Sequence, residues 1–163
     1  MRTSFGSLVL AALAGCMAEP APPSTTVEVR LDGGQHPGTY SARSTLPACT
    51  RNATGHGSLE IQLSDWSGPS QGLRSLQLVV PADSAAGDSV FYLGLVFGDL
   101  FTGTVHEIET RPGAERQKGR GRVRIEGGPT ERTVAITGKT SDSVAIAATI
   151  QCHRVLTPDA SGR

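Results

Sequence analysis

The chain has 163 residues, enough for one domain, and its 15 basic and 15 acidic side chains balance, so its net charge predicts no general attraction to nucleic acid. Its 20 Gly and 10 Pro residues predict many turns and short strands instead of long helices. A domain of this size buries roughly two-thirds of its unfolded surface, so an ordinary hydrophobic core is expected.

Residues 1–15 have the organisation of an export signal. Arg2 supplies positive charge, and the uncharged run Phe5–Ala14 is too short to cross a bilayer, which takes about 20 residues. The run ends in LAGC, with the cysteine at Cys16. This ending resembles the lipobox of bacterial lipoproteins, which implies that residues 1–15 are removed and that Cys16 carries lipid. The alternative is a plain secretory signal with an incidental cysteine.

The resemblance also implies where the protein is held. Two or three fatty chains on Cys16 would make membrane attachment effectively permanent. Met17 stands where retention at the inner membrane requires Asp, which implies an outer-membrane lipoprotein facing the periplasm. In a bacterium with a single membrane, the same anchor would lie on the outer face of the plasma membrane, at the cell surface.

A proline-rich segment follows the lipobox. Residues 16–26 contain three prolines and no apolar periodicity, so they predict an extended tether with a reach of about 30 Å. We expect the folded domain to span residues 27–157 and residues 158–163 to form a disordered tail.

Most of the mature chain alternates apolar and polar residues with a period of two, the pattern of strands buried on one face. The alternating stretches are Val27–Leu31, Leu59–Leu63, Leu76–Val80, Val123–Ile125, Val134–Ile136 and Ser143–Cys152. Turn-forming residues separate these stretches, and none shows helical spacing. The sequence therefore predicts an all-β domain of about eight to ten strands, arranged as an antiparallel two-sheet sandwich or, alternatively, as a small barrel.

The segment Ser89–Phe101 is apolar in both phases of this pattern. The simpler interpretation is a central strand that is covered on both faces. The alternative is an outward apolar strip that meets a partner or a lipid, because exposed patches of this kind mark interaction sites.

Two cysteines remain if Cys16 is lipidated. Export would place Cys49 and Cys152 in an oxidising compartment, where only one pairing is possible. Cys152 shares the inward phase of the last predicted strand, as a buried disulfide requires. The alternative is two free thiols or a metal site, although the sequence lacks both a CxxC motif and Cys/His ligand spacing.

The overall layout is similar to that of the mycobacterial 19 kDa lipoprotein antigen family. The shared features are the lipobox, the V-x-V-x-L-D-G stretch at Val27–Gly33, a cysteine soon after it and a final strand that ends in cysteine. This resemblance brings no catalytic residues to the chain.

Two fragments of catalytic motifs occur. Gly68–Gly72 fits G-x-S-x-G, but Pro69 precedes Ser70 and an alternating strand follows in place of a helix, so we interpret it as a hairpin turn. His106 begins an H-E-x-x-H pattern, but Thr110 stands at the second histidine position. We expect the four histidines to lie on the surface. The sequence thus predicts a protein that is not an enzyme and has no cofactor or metal site.

Two features are candidates for binding. The segment Arg111–Arg124 is strongly basic, with five arginines and one lysine against a single acidic residue, Glu115. A basic run of this kind can bind the phosphate groups of anionic lipid or lipopolysaccharide. Its candidate residues are Arg111, Arg116, Lys118, Arg120 and Arg122. The alternative is a solvated hairpin loop. Trp66 could stack on a sugar or a peptide, or it could cap the end of the core.

These patterns favour a lipid-anchored protein of the cell envelope that acts as a non-enzymatic binding or structural module. The alternative is a small envelope hydrolase or metal-binding protein whose site is formed from scattered His, Asp and Ser residues. A membrane partner is expected through the N-terminal lipid, nucleic acid is not expected, and the sequence specifies no protein partner.

Overall fold

The computed structural model describes residues 22–52, 58–65, 72–81, 89–99 and 102–158. Within these residues, the chain forms eleven β-strands. They are β1 (Thr25–Asp32), β2 (Gly38–Ser44), β3 (Cys49–Arg51), β4 (Leu59–Ser64), β5 (Leu73–Val80), β6 (Tyr92–Phe97), β7 (Thr104–Glu109), β8 (Arg120–Gly127), β9 (Arg132–Lys139), β10 (Ala145–Cys152) and β11 (Val155–Leu156).

The strands form two packed sheets. Sheet A has the order β2-β1-β10-β9-β8, and sheet B has the order β11-β3-β4-β5-β6-β7. Neighbouring strands are antiparallel except β11 and β3, which are parallel. The predicted all-β sandwich is therefore confirmed. The alternative of a small barrel is wrong for the described residues, because the two sheets remain separate ladders.

The period-two pattern fixes the inward face of sheet A. Along β10, exposed and buried residues alternate without interruption, and β1 shows the same alternation after its first two residues. The inward residues of these two strands are Val27, Val29, Leu31, Ile146, Ala148, Ile150 and Cys152. Their branched and small side chains fill the centre of the sandwich.

The register of sheet A defines two ends of the domain. At the tether end, where the predicted tether joins the fold, Thr25 lies opposite both Ser44 and Cys152. At the far end, strand pairing aligns one residue from each of four strands. These residues are Asp32, Ala145, Lys139 and Arg120.

Sheet B runs across sheet A, as the contacts of β6 show. Phe97, at the end of β6, packs against Tyr40 of β2 with ring centroids 4.7 Å apart. Phe91, which precedes β6, presses on β8, since a Cβ placed at Gly121 would lie 2.9 Å from Phe91 Cζ. Because β2 and β8 are the opposite edges of sheet A, β6 must cross that sheet.

The crossing requires glycine on the inner face of β9 as well. A Cβ at Gly138 would lie 2.5 Å from Ile108 Cδ1 of β7. Gly121 and Gly138 lie opposite each other in the β8–β9 pair. This pair of glycines allows β6 and β7 to approach the backbone of sheet A closely.

A disulfide joins the sheets near the tether end. It links Cys49 in β3 to Cys152 at the end of β10, with a Cα–Cα distance of 6.1 Å. Both residues are buried, so the predicted pairing and the predicted inward direction of Cys152 are confirmed.

The segment that is apolar in both phases forms β6, which lies between β5 and β7. Its inward residues Leu93, Leu95 and Phe97 are fully buried. On the outer face Tyr92 and Val96 are half-buried, and Val105, opposite Val96, is 54% exposed. The strand is thus covered completely on its inner face and only in part on its outer face. This arrangement lies between the two that the sequence left open, a strand covered on both faces and an outward apolar strip.

Replacing both bridging cysteines (Cys49→Ala with Cys152→Ala) should lower the free energy of unfolding by about 2–5 kcal/mol, because the bridge restricts a long loop of the unfolded chain. Chemical denaturation measures this change. A reductant should destabilise the wild-type protein by a similar amount and leave the double variant unaffected. A wild-type protein insensitive to reductant would contradict the prediction.

Candidate functional site

The predicted basic segment comprises the connection from β7 to β8 and the first half of β8. The connection is closed at its base, since Glu109 N donates to Lys118 O at 2.8 Å and Lys118 N donates to Glu109 O at 2.9 Å. Residues 110–117 therefore form a loop at the far end of sheet A, where β8 begins.

Two of the five candidate cations are neutralised by carboxylates of β7. Arg111 donates from Nε to Glu109 Oε1 at 2.9 Å and from Nη2 to Glu109 Oε2 at 2.6 Å, a bidentate pair. Lys118 forms an ion pair with Glu107. The guanidinium of Arg111 also lies 5.2 Å from the centroid of the Tyr92 ring. These two cations are paired with carboxylates of the fold, although both side chains stay partly in contact with solvent.

The charges of this cluster stabilise one another. Burial alone raises the pKa of Glu109, but hydrogen bonds and charge from Arg111 outweigh that effect and leave the pKa below its ordinary value. Burial, followed by the negative charge of Glu107, raises the pKa of Tyr92. The phenol therefore stays protonated and donates to Glu107 Oε1 at 3.4 Å.

An open depression of about 550 Å³ lies beside this cluster. The paired side chains form one wall, and Ala114, Glu115 and Arg116 of the loop form the other. Of the polar groups around it, Glu115 and Arg116 have no ion-pair partner among the described residues. The depression is therefore polar and largely self-neutralised, unlike the apolar pockets that usually hold small ligands.

The remaining candidate cations are available to an external anion. Arg116, Arg120 and Arg122 are exposed, and none lies within ion-pair distance of a carboxylate in the described ranges. Arg120 and Arg122 project from the same face of β8 about 7 Å apart. Lys139 lies opposite Arg120. We call Arg120, Arg122 and Lys139 the basic row.

The basic row lies on an edge strand. β8 ends sheet A and pairs with β9 alone. Further along β8, Arg124 forms an exposed ion pair with Glu126 at 3.3 Å, so the uncompensated charge is concentrated toward the far end. Sequence reasoning found these cations and missed the carboxylates that neutralise their neighbours.

One histidine departs from the expectation that all four lie on the surface. His106 is only 2% exposed, and neither ring nitrogen has a hydrogen-bond partner within the described chain. It lies edge-on to Phe97, with ring centroids 5.8 Å apart. The reason is the phase of β7, in which Val105 points outward and His106 points inward. Burial lowers the pKa of His106, so the ring is neutral at neutral pH.

His36 flanks the same aromatic ring. It stacks on Phe97 at a centroid distance of 5.7 Å, and its Nε2 is 3.2 Å from Thr104 Oγ1. The described residues include no group of three or more His, Cys, Asp or Glu side chains suited to hold a metal ion.

Several residues singled out in the sequence lie outside the described ranges. These are Cys16, Trp66 and Ser70, together with His56 and most of the predicted tail. The predictions made for them stay predictions.

Comparison with known proteins gives no assignment. No protein-family model, curated protein or solved structure matches the chain. Among the described residues, no helix has the length and apolar character needed to cross a membrane.

Lowering the pH should destabilise the fold through His106. Its folded-state pKa lies below the unfolded value of about 6.5, so its contribution to stability is present above that pH and is lost as the pH falls toward the folded-state pKa. The free energy of unfolding, measured by chemical denaturation between neutral and mildly acidic pH, should decrease accordingly.

Replacing His106 by Leu should flatten this part of the pH dependence, whereas replacing the exposed His153 by Gln should not. An unchanged slope in the His106→Leu protein would contradict the assignment.

Proposed function

We propose that this protein is a lipid-anchored, non-enzymatic binding or structural module of the bacterial cell envelope. It is held by fatty chains on Cys16, at an outer membrane facing the periplasm or, in a bacterium with one membrane, on the outer face of the plasma membrane. The fold supports this arrangement because β1 begins at Thr25, two residues after Pro23, and so includes the last two residues of the predicted tether.

The observation that carries the proposal is the buried disulfide between the two sheets. A structural disulfide is typical of exported proteins, since cytoplasmic thiols are kept reduced. Because Cys49 and Cys152 bond to each other, one of the three cysteines is left, and it is the one that ends the lipobox. Export and lipidation thus account for every cysteine in the chain.

The non-enzymatic part of the proposal is supported by how reactive side chains are used. The carboxylates Glu107 and Glu109 are paired with Lys118 and Arg111. His106 is buried against Phe97, and although Asp142 and His36 are near enough to influence its pKa, neither ring nitrogen has a hydrogen-bond partner among the described residues. A general base has to reach a substrate proton, and this ring has no such access.

The basic row and Arg116 are the proposed binding surface, and phosphate groups of anionic lipid or lipopolysaccharide are the proposed ligands. Each exposed cation contributes up to about 1 kcal/mol near an anionic surface, so several acting together give salt-sensitive binding.

Replacing Cys16 by Ser should move the protein from the membrane fraction to the soluble fraction of the cell, because no diacylglycerol can then attach. Fractionation and mass measurement of the mature N-terminus check this outcome. The Cys49→Ala/Cys152→Ala protein provides the matched control, since it loses two cysteines and should stay on the membrane. An unchanged membrane yield for Cys16→Ser would reject the anchor.

Binding through the basic surface should be lost on charge reversal. The soluble Cys16→Ser protein should sediment with lipopolysaccharide aggregates at low salt and dissociate as the salt concentration rises. Adding Arg116→Glu and Arg120→Glu should reduce the bound fraction severalfold. Arg30→Glu, which reverses an exposed arginine on β1, is the matched control. Equal binding by all variants would reject this surface.

A further inference from the structure

The predicted tether leaves the fold at a fixed point. Ser24 N and Ser24 Oγ both donate to Ser44 O, at 2.8 and 3.1 Å, and His153 N donates to Ser24 O at 2.9 Å. Ser24 is therefore held between the end of β2 and the end of β10. About eight residues separate Ser24 from Cys16, so a lipid on Cys16 keeps the bilayer within roughly 30 Å of this point.

The described residue with the most exposed large apolar side chain lies next to that point. Leu46, in the turn after β2, is 74% exposed. A hydrogen bond stabilises this turn, since Ser44 Oγ accepts from Leu46 N at 3.1 Å. Leu156 of β11 is 38% exposed on the same end of the domain, where β11 follows β10. One exposed leucine is ordinary, so the significance of Leu46 rests on its place beside the predicted tether.

The charge of the tether end complements an anionic surface. The exposed ionisable side chains there include Arg43, Glu126, Glu131, His153 and Arg154, of which Glu126 is paired with Arg124. Neither Arg43 nor Arg154 lies within ion-pair distance of a carboxylate in the described chain. Arginine binds lipid phosphates well because its planar guanidinium matches their geometry.

We propose that the tether end of the domain docks on the bilayer that holds the lipid, with Leu46 at the boundary between headgroups and acyl chains and with Arg43 and Arg154 on lipid phosphates. The proposal rests on the proposed lipidation of Cys16. The short tether raises the effective concentration of the membrane, so a contact of few residues suffices.

The geometry sets this surface apart from the basic row. The row begins at Arg120, at the far end of sheet A, about 24 Å along the strands from the row of Thr25. Docking of the tether end therefore points the basic row away from the anchoring bilayer.

Spin labels in the full, lipidated chain test the proposal. Thr45→Cys places a label beside Leu46, and Ser141→Cys places one at the far end; both residues are exposed. In each protein, the introduced cysteine is the one thiol that is neither lipidated nor bridged. The proteins are reconstituted in vesicles of phosphatidylethanolamine with a minority of phosphatidylglycerol.

We expect the Thr45 label to collide severalfold less often with an aqueous nickel reagent than the Ser141 label. Leu46→Gln, or Arg43→Glu with Arg154→Glu, should abolish this protection. Arg120→Glu with Arg122→Glu and Val105→Gln are the matched controls for charge and for apolar exposure, and both should retain it.

Three results would overturn docking. Equal nickel access at both labels in protein that remains on the vesicles would leave the anchor intact and reject the docked orientation. Stronger protection of the Ser141 label would assign the membrane contact to the far end. Protein that does not stay on the vesicles would reject the lipid anchor, and docking with it.

Discussion

Close contact between two crossed sheets determines what this molecule presents at each end. Gly121 and Gly138 contribute no side chains at the far end, so Phe91 and Ile108 pack directly against the backbone of β8 and β9. At the other end, the Cys49–Cys152 bridge fixes β3 to the end of β10. The crossing places β7 at the far end, and its carboxylates are therefore the ones that meet the basic loop.

The strands that the sequence predicted are those whose large apolar residues alternate without interruption, such as β1 and β10. Two strands of full length carried no such signal. In β2 only Ala42 is buried, because an edge strand with short side chains contributes little to the core. In β7 the phase is inverted, since Val105 points outward and His106 inward. The period-two pattern is read from apolar residues alone. Because the inward residue here is a histidine and the outward one a valine, the pattern assigns the wrong face of β7 to the core.

The candidate surface was predictable only in part. Composition identifies the basic segment, but Arg111 lies in the loop after β7, so strand periodicity does not predict its pairing with Glu109. The pairing of Lys118 with Glu107 depends on the hydrogen bonds that close the β7–β8 connection, and local sequence does not reveal them. The disulfide was predictable because the resemblance to a lipobox assigned Cys16 to lipid and the period-two pattern of β10 placed Cys152 on the inner face.

Balanced net charge conceals how the charge is distributed over this fold. Two of the described cations without an ion-pair partner, Arg120 and Arg122, lie on the β8 edge, where a charged side chain of either sign also prevents pairing with the strand of another molecule. Protection of the edge from strand pairing can therefore be separated from anion binding. Replacing Arg120 by Glu keeps a charge that prevents pairing but removes the positive charge that an anion would bind. In the docked orientation that we propose, the length of sheet A would hold Arg120 away from the anchoring membrane. If the proposed lipid anchor and docking hold, a domain with an exposed leucine at its tethered end and cations at its far end would be suited to contact two surfaces of the envelope at once.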